Sequence, residues 1–180
     1  MTWGRIATYY VLAGVLGGFF FLSEEPSPTN FALKVEPVVP QHQFLPIARA
    51  EIGELEITRV EGTLHFKFNG KSWDVIRPAG APVTSGVVAS FLEDLTPEKE
   101  IRIMDNNAED LAVYGLDKPS STIIVRNGDR SQEATVLVGS LNPSSSAYYA
   151  LRSDQRTVVL LGYNIGYYGD LMFESARQKK

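Results

Sequence analysis

Few residues in this chain have types and spacings that could do chemistry. Asp105, Glu109, Asp110 and Asp117 form its densest acidic neighbourhood, and carboxylates grouped in this way could hold a hard cation or divide acid and base roles. Their spacing does not fit a helix-loop-helix calcium loop. Asn106, Glu109 and Asp110 are read more simply as a helix cap and as negative charges at a helix start, where the backbone dipole favours them. The stretch GSLNPSSS, from Gly139 to Ser146, is rich in hydrogen-bond donors but lacks the lysine and the G-x-x-x-x-G-K-[ST] spacing of a phosphate loop, so it reads as a polar hairpin loop. Ser144, Ser145 and Ser146 have no histidine nearby in sequence to activate them, and only an approach of His42 or His65 in three dimensions would make one a nucleophile. His65 has no partner at ligand spacing and is read as a structural or surface residue.

Composition narrows the field further. The 180 residues contain no cysteine and only two histidines, which removes disulfides, thiolate catalysis and thiolate metal sites, and leaves little for a histidine-built centre. With 17 Lys plus Arg against 21 Asp plus Glu and a formal charge of -4, there is no electrostatic case for nucleic acid as a partner. The expectation is a noncatalytic protein with no catalytic residues, no metal and no cofactor.

The elements that would position such residues are easier to read. Glu54 to Thr58 and Thr63 to Phe68 alternate as half-buried strands do, and Asn69-Gly70 marks a hairpin turn into Ser72 to Ile76. Thr84 is placed to cap a helix running to Leu95, with Val87, Val88, Phe91, Leu92 and Leu95 on one stripe that should cover the sheet. Extended character returns at Ile101 to Met104, and a short helical segment around Ala108 to Tyr114 ends at Gly115. Further strands are expected at Thr122 to Arg126, Thr135 to Val138, Tyr148 to Arg152 and Thr157 to Leu161, with Asn127-Gly128 as a second hairpin turn. Tyr163 to Arg177 is read as one or two helical turns or a longer broken helix. Strands, a helix, then strands and a helix argue for an α+β domain with a mainly antiparallel sheet and short covering helices.

Ahead of this domain, Trp3 to Leu22 carries a single charge, Arg5. As a helix rising about 1.5 Å per residue it would span roughly 30 Å, the thickness of a bilayer core. A single transmembrane helix is therefore expected, with the N-terminus cytoplasmic by the basic-residue bias, Gly14 and Gly18 as a possible helix-packing pair, and no small-x-small pattern for cleavage. Five prolines between residues 23 and 46 read as an extended tether. The expected organisation is an anchor at 1–23, a tether at 24–46, an extramembrane domain at 47–175 with possible halves 47–104 and 105–173, and a basic tail at 176–180. Trp3, Phe31, Phe44, Tyr163, Tyr167 and Tyr168 are candidate interface residues, large amphipathic rings of the kind enriched where proteins meet.

The segment DLAVYGLDKP from Asp110 to Pro119, followed by TIIVRNG, the glycine of VLVGS, the Tyr148-Tyr149 pair and VVLL, resembles the DUF4340 family of bacterial proteins. The upstream WDVIRP from Trp73 to Pro78, and the helix beginning after Val83, resemble that family's preceding module. The resemblance implies a fold in which Tyr114, Gly115, Leu116 and Pro119 define a helix end and turn, and it carries no catalytic motif. It also implies an N-terminal membrane helix, with some family members found beside gliding-type or ABC-transport components. The function expected from all of this is an accessory or assembly subunit of a larger bacterial inner-membrane complex, whether of transport, respiratory or photosynthetic type. Its partners would be integral membrane subunits and the lipid bilayer, and its domain would be periplasmic or external. The alternative expectation is a membrane-tethered module for a peptide, glycan or small ligand.

Overall fold

The alternation in the sequence resolves into one sheet in a computed structural model, which describes residues 44–97 and 101–178. Eight strands, β1 (Ile52–Arg59), β2 (Gly62–Phe68), β3 (Trp73–Arg77), β4 (Arg102–Asp105), β5 (Ser121–Asn127), β6 (Glu133–Leu141), β7 (Ala147–Arg152) and β8 (Val158–Gly162), lie in the order β3-β2-β1-β5-β6-β7-β8-β4. Every neighbouring pair is antiparallel. One sheet thus runs through both portions of the domain, and β4, though it follows the first three strands in sequence, closes the far edge beside β8.

Two helices cover one face, α1 (Ser85–Leu95) and α2 (Asn164–Arg177). The stripe on α1 buries Val88, Phe91, Leu92 and Leu95, and these meet Leu55 and Ile57 of β1, Leu64 and Phe66 of β2, Ile123 and Val125 of β5, and Val136 and Val138 of β6 in one core. Register explains the match: Leu55 pairs with Phe66 and Val125, and Ile57 with Leu64 and Ile123, so every second residue of three adjacent strands faces the helices. Thr84 sits at the N-cap of α1 without a side-chain cap bond. The next residue acts instead: Ser85 Oγ accepts the edge-strand amide of Trp73 at 2.8 Å.

The opposite face is divided. Over β6, β7 and β8 it is closed by the connection after β4, where Ala108 and Leu116 bury against Leu151 and Val158 with Tyr114 and Tyr149 packed alongside. A single 3-10 turn, Ala112–Tyr114, ends at Gly115, which takes a left-handed φ of 67°. Gly139 of β6 lies so close beneath that a Cβ there would stand 2.2 Å from the Tyr114 carbonyl oxygen. Ser140 Oγ donates to that same oxygen at 3.0 Å.

Over β1, β2 and β5 the same face is polar. Glu54, its side chain only 3% exposed, accepts Arg130 Nε at 3.0 Å and Arg130 Nη2 at 2.6 and 2.8 Å on its two oxygens. Burial pushes the Glu54 carboxyl up, but the Arg130 hydrogen bonds and charge, together with nearby His65 and Lys67, hold the group below its ordinary value. Arg130 reaches Glu54 from a loop in which it adopts a left-handed φ of 61°. The turn expected at Asn127-Gly128 is therefore longer, with Asn127 Oδ1 accepting the Gln132 amide at 3.0 Å.

The membrane anchor is corrected. Among the described residues no helix is long and apolar enough to cross a membrane. The longer of the two helices, α2, has 14 residues and extends about 21 Å, short of the roughly 30 Å a bilayer core demands. The expected span at residues 3–22, with Gly14 and Gly18, lies outside the described residues, as do Trp3 and Phe31. The single-pass inner-membrane localisation, the cytoplasmic N-terminus, the integral membrane subunits and lipid bilayer as partners, and the roles of membrane accessory subunit or tethered module all depended on that span and have no support in the structure. The fold that stands is an antiparallel sheet domain with short helices.

Glu54 binds fewer protons in the folded chain than in the unfolded one, so its contribution to stability is complete above its ordinary value of 4.5 and is lost as pH falls through the lower folded value. Arg130→Gln leaves a buried carboxylate short of donors and should lower the unfolding free energy by about 2 kcal/mol at neutral pH. That deficit should shrink as pH falls below the ordinary value of 4.5 and the carboxyl protonates. Urea titrations of both proteins across this range check it, and a deficit independent of pH would show that Arg130 acts through packing alone.

Candidate functional site

β1 continues its inward alternation one step too far for a purely apolar face. After Leu55 and Ile57 the next inward position is Arg59, whose side chain meets Ser121 at the start of β5, only 5% exposed. Arg59 Nε donates to Ser121 Oγ at 2.7 Å, its guanidinium carbon lies 5.2 Å from the centre of the Phe173 ring, and Nη1 donates to Asp170 Oδ1. Phe173 and Asp170 both belong to α2, so one arginine ties the first strand to the last helix.

α2 accepts this because two of its inward positions are glycines. A Cβ on Gly169 would stand 2.2 Å from Arg59 Nη2, and one on Gly166 would stand 2.4 Å from Tyr148 Oη with two ring carbons at 2.6 Å. Both glycines are buried, and from Asn164 to Arg177 the segment expected as one or two turns or a broken helix is one continuous helix.

Between α2 and the sheet these residues frame a cavity of about 340 Å³. Its floor is apolar, built from Ile57, Ile123 and Val138 of the sheet with Phe91 of α1 and Ile165 of α2. Arg59, Ser121, Tyr148 and Asp170 supply polar groups at its rim, beside Glu61 and the hairpin-tip Val60. Burial, then the charge of Asp170 and the neighbouring Tyr163, push the Tyr148 hydroxyl above its ordinary value while Arg59 pulls it down. It therefore remains a protonated donor at neutral pH. Asp170 is 66% exposed whereas the Arg59 side chain is 14% exposed, so the two partners of this ion pair live in different environments.

The candidate interface residues separate on inspection. Tyr163 and Tyr167 are exposed at 51% and 55%, and Tyr163 stacks on Tyr148 with ring centres 6.3 Å apart, which places it next to the cavity. Tyr168 is half-buried, packs against the core and meets Tyr167 edge-on. Phe44 is a core residue, and its carbonyl accepts Arg152 Nη1 at 3.1 Å. Tyr114, Gly115, Leu116 and Pro119 lie in the connection from β4 to β5, where Leu116 is buried and Pro119 lines the cavity edge.

The other chemical candidates stay apart. Asp105 accepts Tyr114 Oη at 3.2 Å and the Asn107 amide at 2.9 Å, while Asp110 accepts the Ala112 amide at 2.9 Å, which are turn-forming roles. Ser144 and Ser146 share a 2.9 Å hydrogen bond at the β6–β7 end. His65 lies on β2 with Nε2 3.6 Å from Glu54 Oε2, and His42 is outside the described residues. Among the described residues no three or more His, Asp or Glu side chains are arranged to hold a metal ion.

Arg59, Ser121 and Asp170 were not legible as a site from sequence. A signal was present: a charged residue continuing an inward apolar alternation, and glycines three apart preceding an aspartate.

Residues 73–180 match the DUF4340 domain, a domain of unknown function, which is more than half of the chain. The chain belongs to the DUF4340 family. No curated protein and no solved structure matches it. The match begins at Trp73, where the WDVIRP motif that resembles the family begins, so β1 and β2, with Arg59 and its hairpin, precede the matched segment.

The contact between Tyr148 and Gly166 makes a double-mutant cycle informative. Gly166→Ala should destabilise the chain by about 2 kcal/mol through overpacking. In a Tyr148→Ala background the same change should be neutral or stabilising by up to about 1 kcal/mol, the helix preference for alanine then prevailing. Equal effects in both backgrounds, measured by urea unfolding, would show that the close approach does not limit α2.

Proposed function

We propose that this chain is a noncatalytic recognition domain that holds a small amphipathic ligand in the cavity between α2 and the sheet. The observation that carries the reading is the composition of that cavity: an apolar floor of Ile57, Ile123, Val138, Phe91 and Ile165 beneath a rim bearing Arg59, Ser121, Tyr148 and Asp170. Concave apolar pockets with a few convergent polar groups are the common form of small-ligand sites, and about 340 Å³ lies within their usual range of roughly 300–1,000 Å³. At about 30 Å³ per liquid water the space equals some eleven waters, room for a molecule on the order of ten non-hydrogen atoms.

Binding rather than turnover is favoured by how the rim groups are spent. The Arg59 guanidinium and the Asp170 carboxylate neutralise one another, and the Ser121 hydroxyl accepts Arg59 Nε instead of facing a base. A nucleophile needs a base within hydrogen-bond reach, and this rim pairs Ser121 with a permanent cation.

The test is a titration of the full-length chain with octanol and octanoate, followed by the NMR signals of Ile57, Ile123, Val138 and Ile165. At least one probe should shift these residues together, and Val138→Phe, whose ring fills the floor, should weaken that probe about tenfold or more. Shifts confined to other residues, or binding unchanged in Val138→Phe, would dismiss the cavity as the site.

A further inference from the structure

We propose that the ligand of this cavity is a monocarboxylate with an apolar body, and that Asp170 occupies the place of the ligand's carboxylate in the empty protein. The inference rests on the cavity reading above and adds the chemical class to it.

Arg59 is held in place independently of Asp170. Its Nε is bound to Ser121 at 2.7 Å, its guanidinium lies 5.2 Å from the Phe173 ring centre, and Nη2 sits in the space left by the missing side chain of Gly169. A buried strand residue, an aromatic face and a helix backbone thus fix the orientation of the fork before any anion arrives. A guanidinium fixed in this way matches the geometry of a carboxylate, and the entropy of ordering it has already been met by the fold.

Asp170 has no comparable support. It is 66% exposed, against 14% for Arg59, and it contacts the guanidinium through one oxygen on one nitrogen, Nη1. An exposed carboxylate loses little by turning back to water, because exposed ion pairs contribute only modestly. Exchange of Asp170 for a ligand carboxylate leaves the charge on Arg59 balanced throughout. The exchange is close to neutral electrostatically, so affinity comes from removing the ligand's own apolar body from water into the cavity, and Arg59 supplies the preference for an acid head group.

Two neighbours refine the class. The Tyr148 hydroxyl lines the same cavity and can donate to the second carboxylate oxygen. Arg59 is the one basic side chain among the described residues that line the cavity, and Glu61 at the rim is itself paired with Arg177 at 3.7 Å, which favours a single acid group.

The experiment is isothermal titration of the full-length chain with octanoate and octanol. Octanoate should bind about tenfold or more tightly than octanol, the margin expected of a charge-assisted pair. Asp170→Asn removes the internal competitor at an exposed position and should tighten octanoate by about threefold, leaving octanol unchanged. Arg59→Lys should erase the preference for the acid. Octanol binding as tightly as octanoate, or no response of octanoate to Asp170→Asn, overturns the carboxylate assignment and leaves the cavity reading standing. Failure of both probes to shift the cavity residues overturns both. The Asp170 variant decides the matter even if Arg59→Lys fails to fold, since Asp170 lies on the exposed side of α2.

Discussion

The seating of Arg59 against α2 is the constraint on which the arrangement of the C-terminal half depends. It joins a strand and a helix 111 residues apart in sequence, and it does so through contacts of different kinds: a hydrogen bond to a buried serine, an aromatic face and a close approach to a glycine. An arginine on the inner face of a strand is expensive to bury unless its donors are satisfied. Here Ser121 and Asp170 take Nε and Nη1, while the aliphatic stem lies among apolar neighbours. A Cβ at Gly169 would stand 2.2 Å from Nη2, so a larger residue there would require the end of the guanidinium to shift.

The sheet itself is finished by different means at its two edges. β3 is shielded on one side by α1, with Ser85 taking the Trp73 amide, and its pairing with β2 carries an irregularity at His65/Phe66. β4 is only four residues long and its pairing with β8 shifts between Ile103 and Asp105. Short, bulged edges resist pairing with other chains, even though Ile103 and Met104 are exposed there. Docking at the sheet margin is therefore a weaker reading of this fold than occupancy of the cavity.

Much of the sheet was legible because its signal is local. The period of two in residues 54–58 and 63–68, and the 3.6-residue stripe from Val88 to Leu95, report burial directly, and strand and helix follow. The α2 segment was less legible, since glycines and tyrosines within fifteen residues resemble a turn until the partner of each glycine is known. Arg130 shows the same limit: Asn127-Gly128 predicts a tight hairpin, but the left-handed residue is an arginine three positions on, placed there to reach a glutamate on another strand. The site was hidden for a related reason. A charged residue at a strand end reads as surface, and only the register of β1 against β5 turns Arg59 inward. The apolar run at residues 3–22 shows the reverse hazard, for its composition and the family resemblance together suggested a membrane span, a location and a set of partners, and the described fold supports none of them.

The cavity is a consequence of how α2 is thinned. α1 touches both β3 and β8, so the sheet curls around it and the helix fills the middle of the inner face. α2 packs against α1 and must reach the sheet beside it, over the ends of β1, β5, β6 and β7. A helix with ordinary inward side chains would fill that space and hold the helix away from the strands by its usual distance. With Gly166 and Gly169 inward, the backbone drops onto Tyr148 and Arg59, and these two large residues act as pillars. Of the α2 residues, Ile165, Gly166 and Asp170 line the space between these pillars. The glycine that lets the helix approach Tyr148, Gly166, therefore also lines the cavity. A merely structural requirement for close packing would be met at lower cost by alanine-sized side chains and a smaller residue than tyrosine on β7. Placing a large phenol, an inward arginine and a cavity together costs stability, which fits the ligand reading proposed for this place.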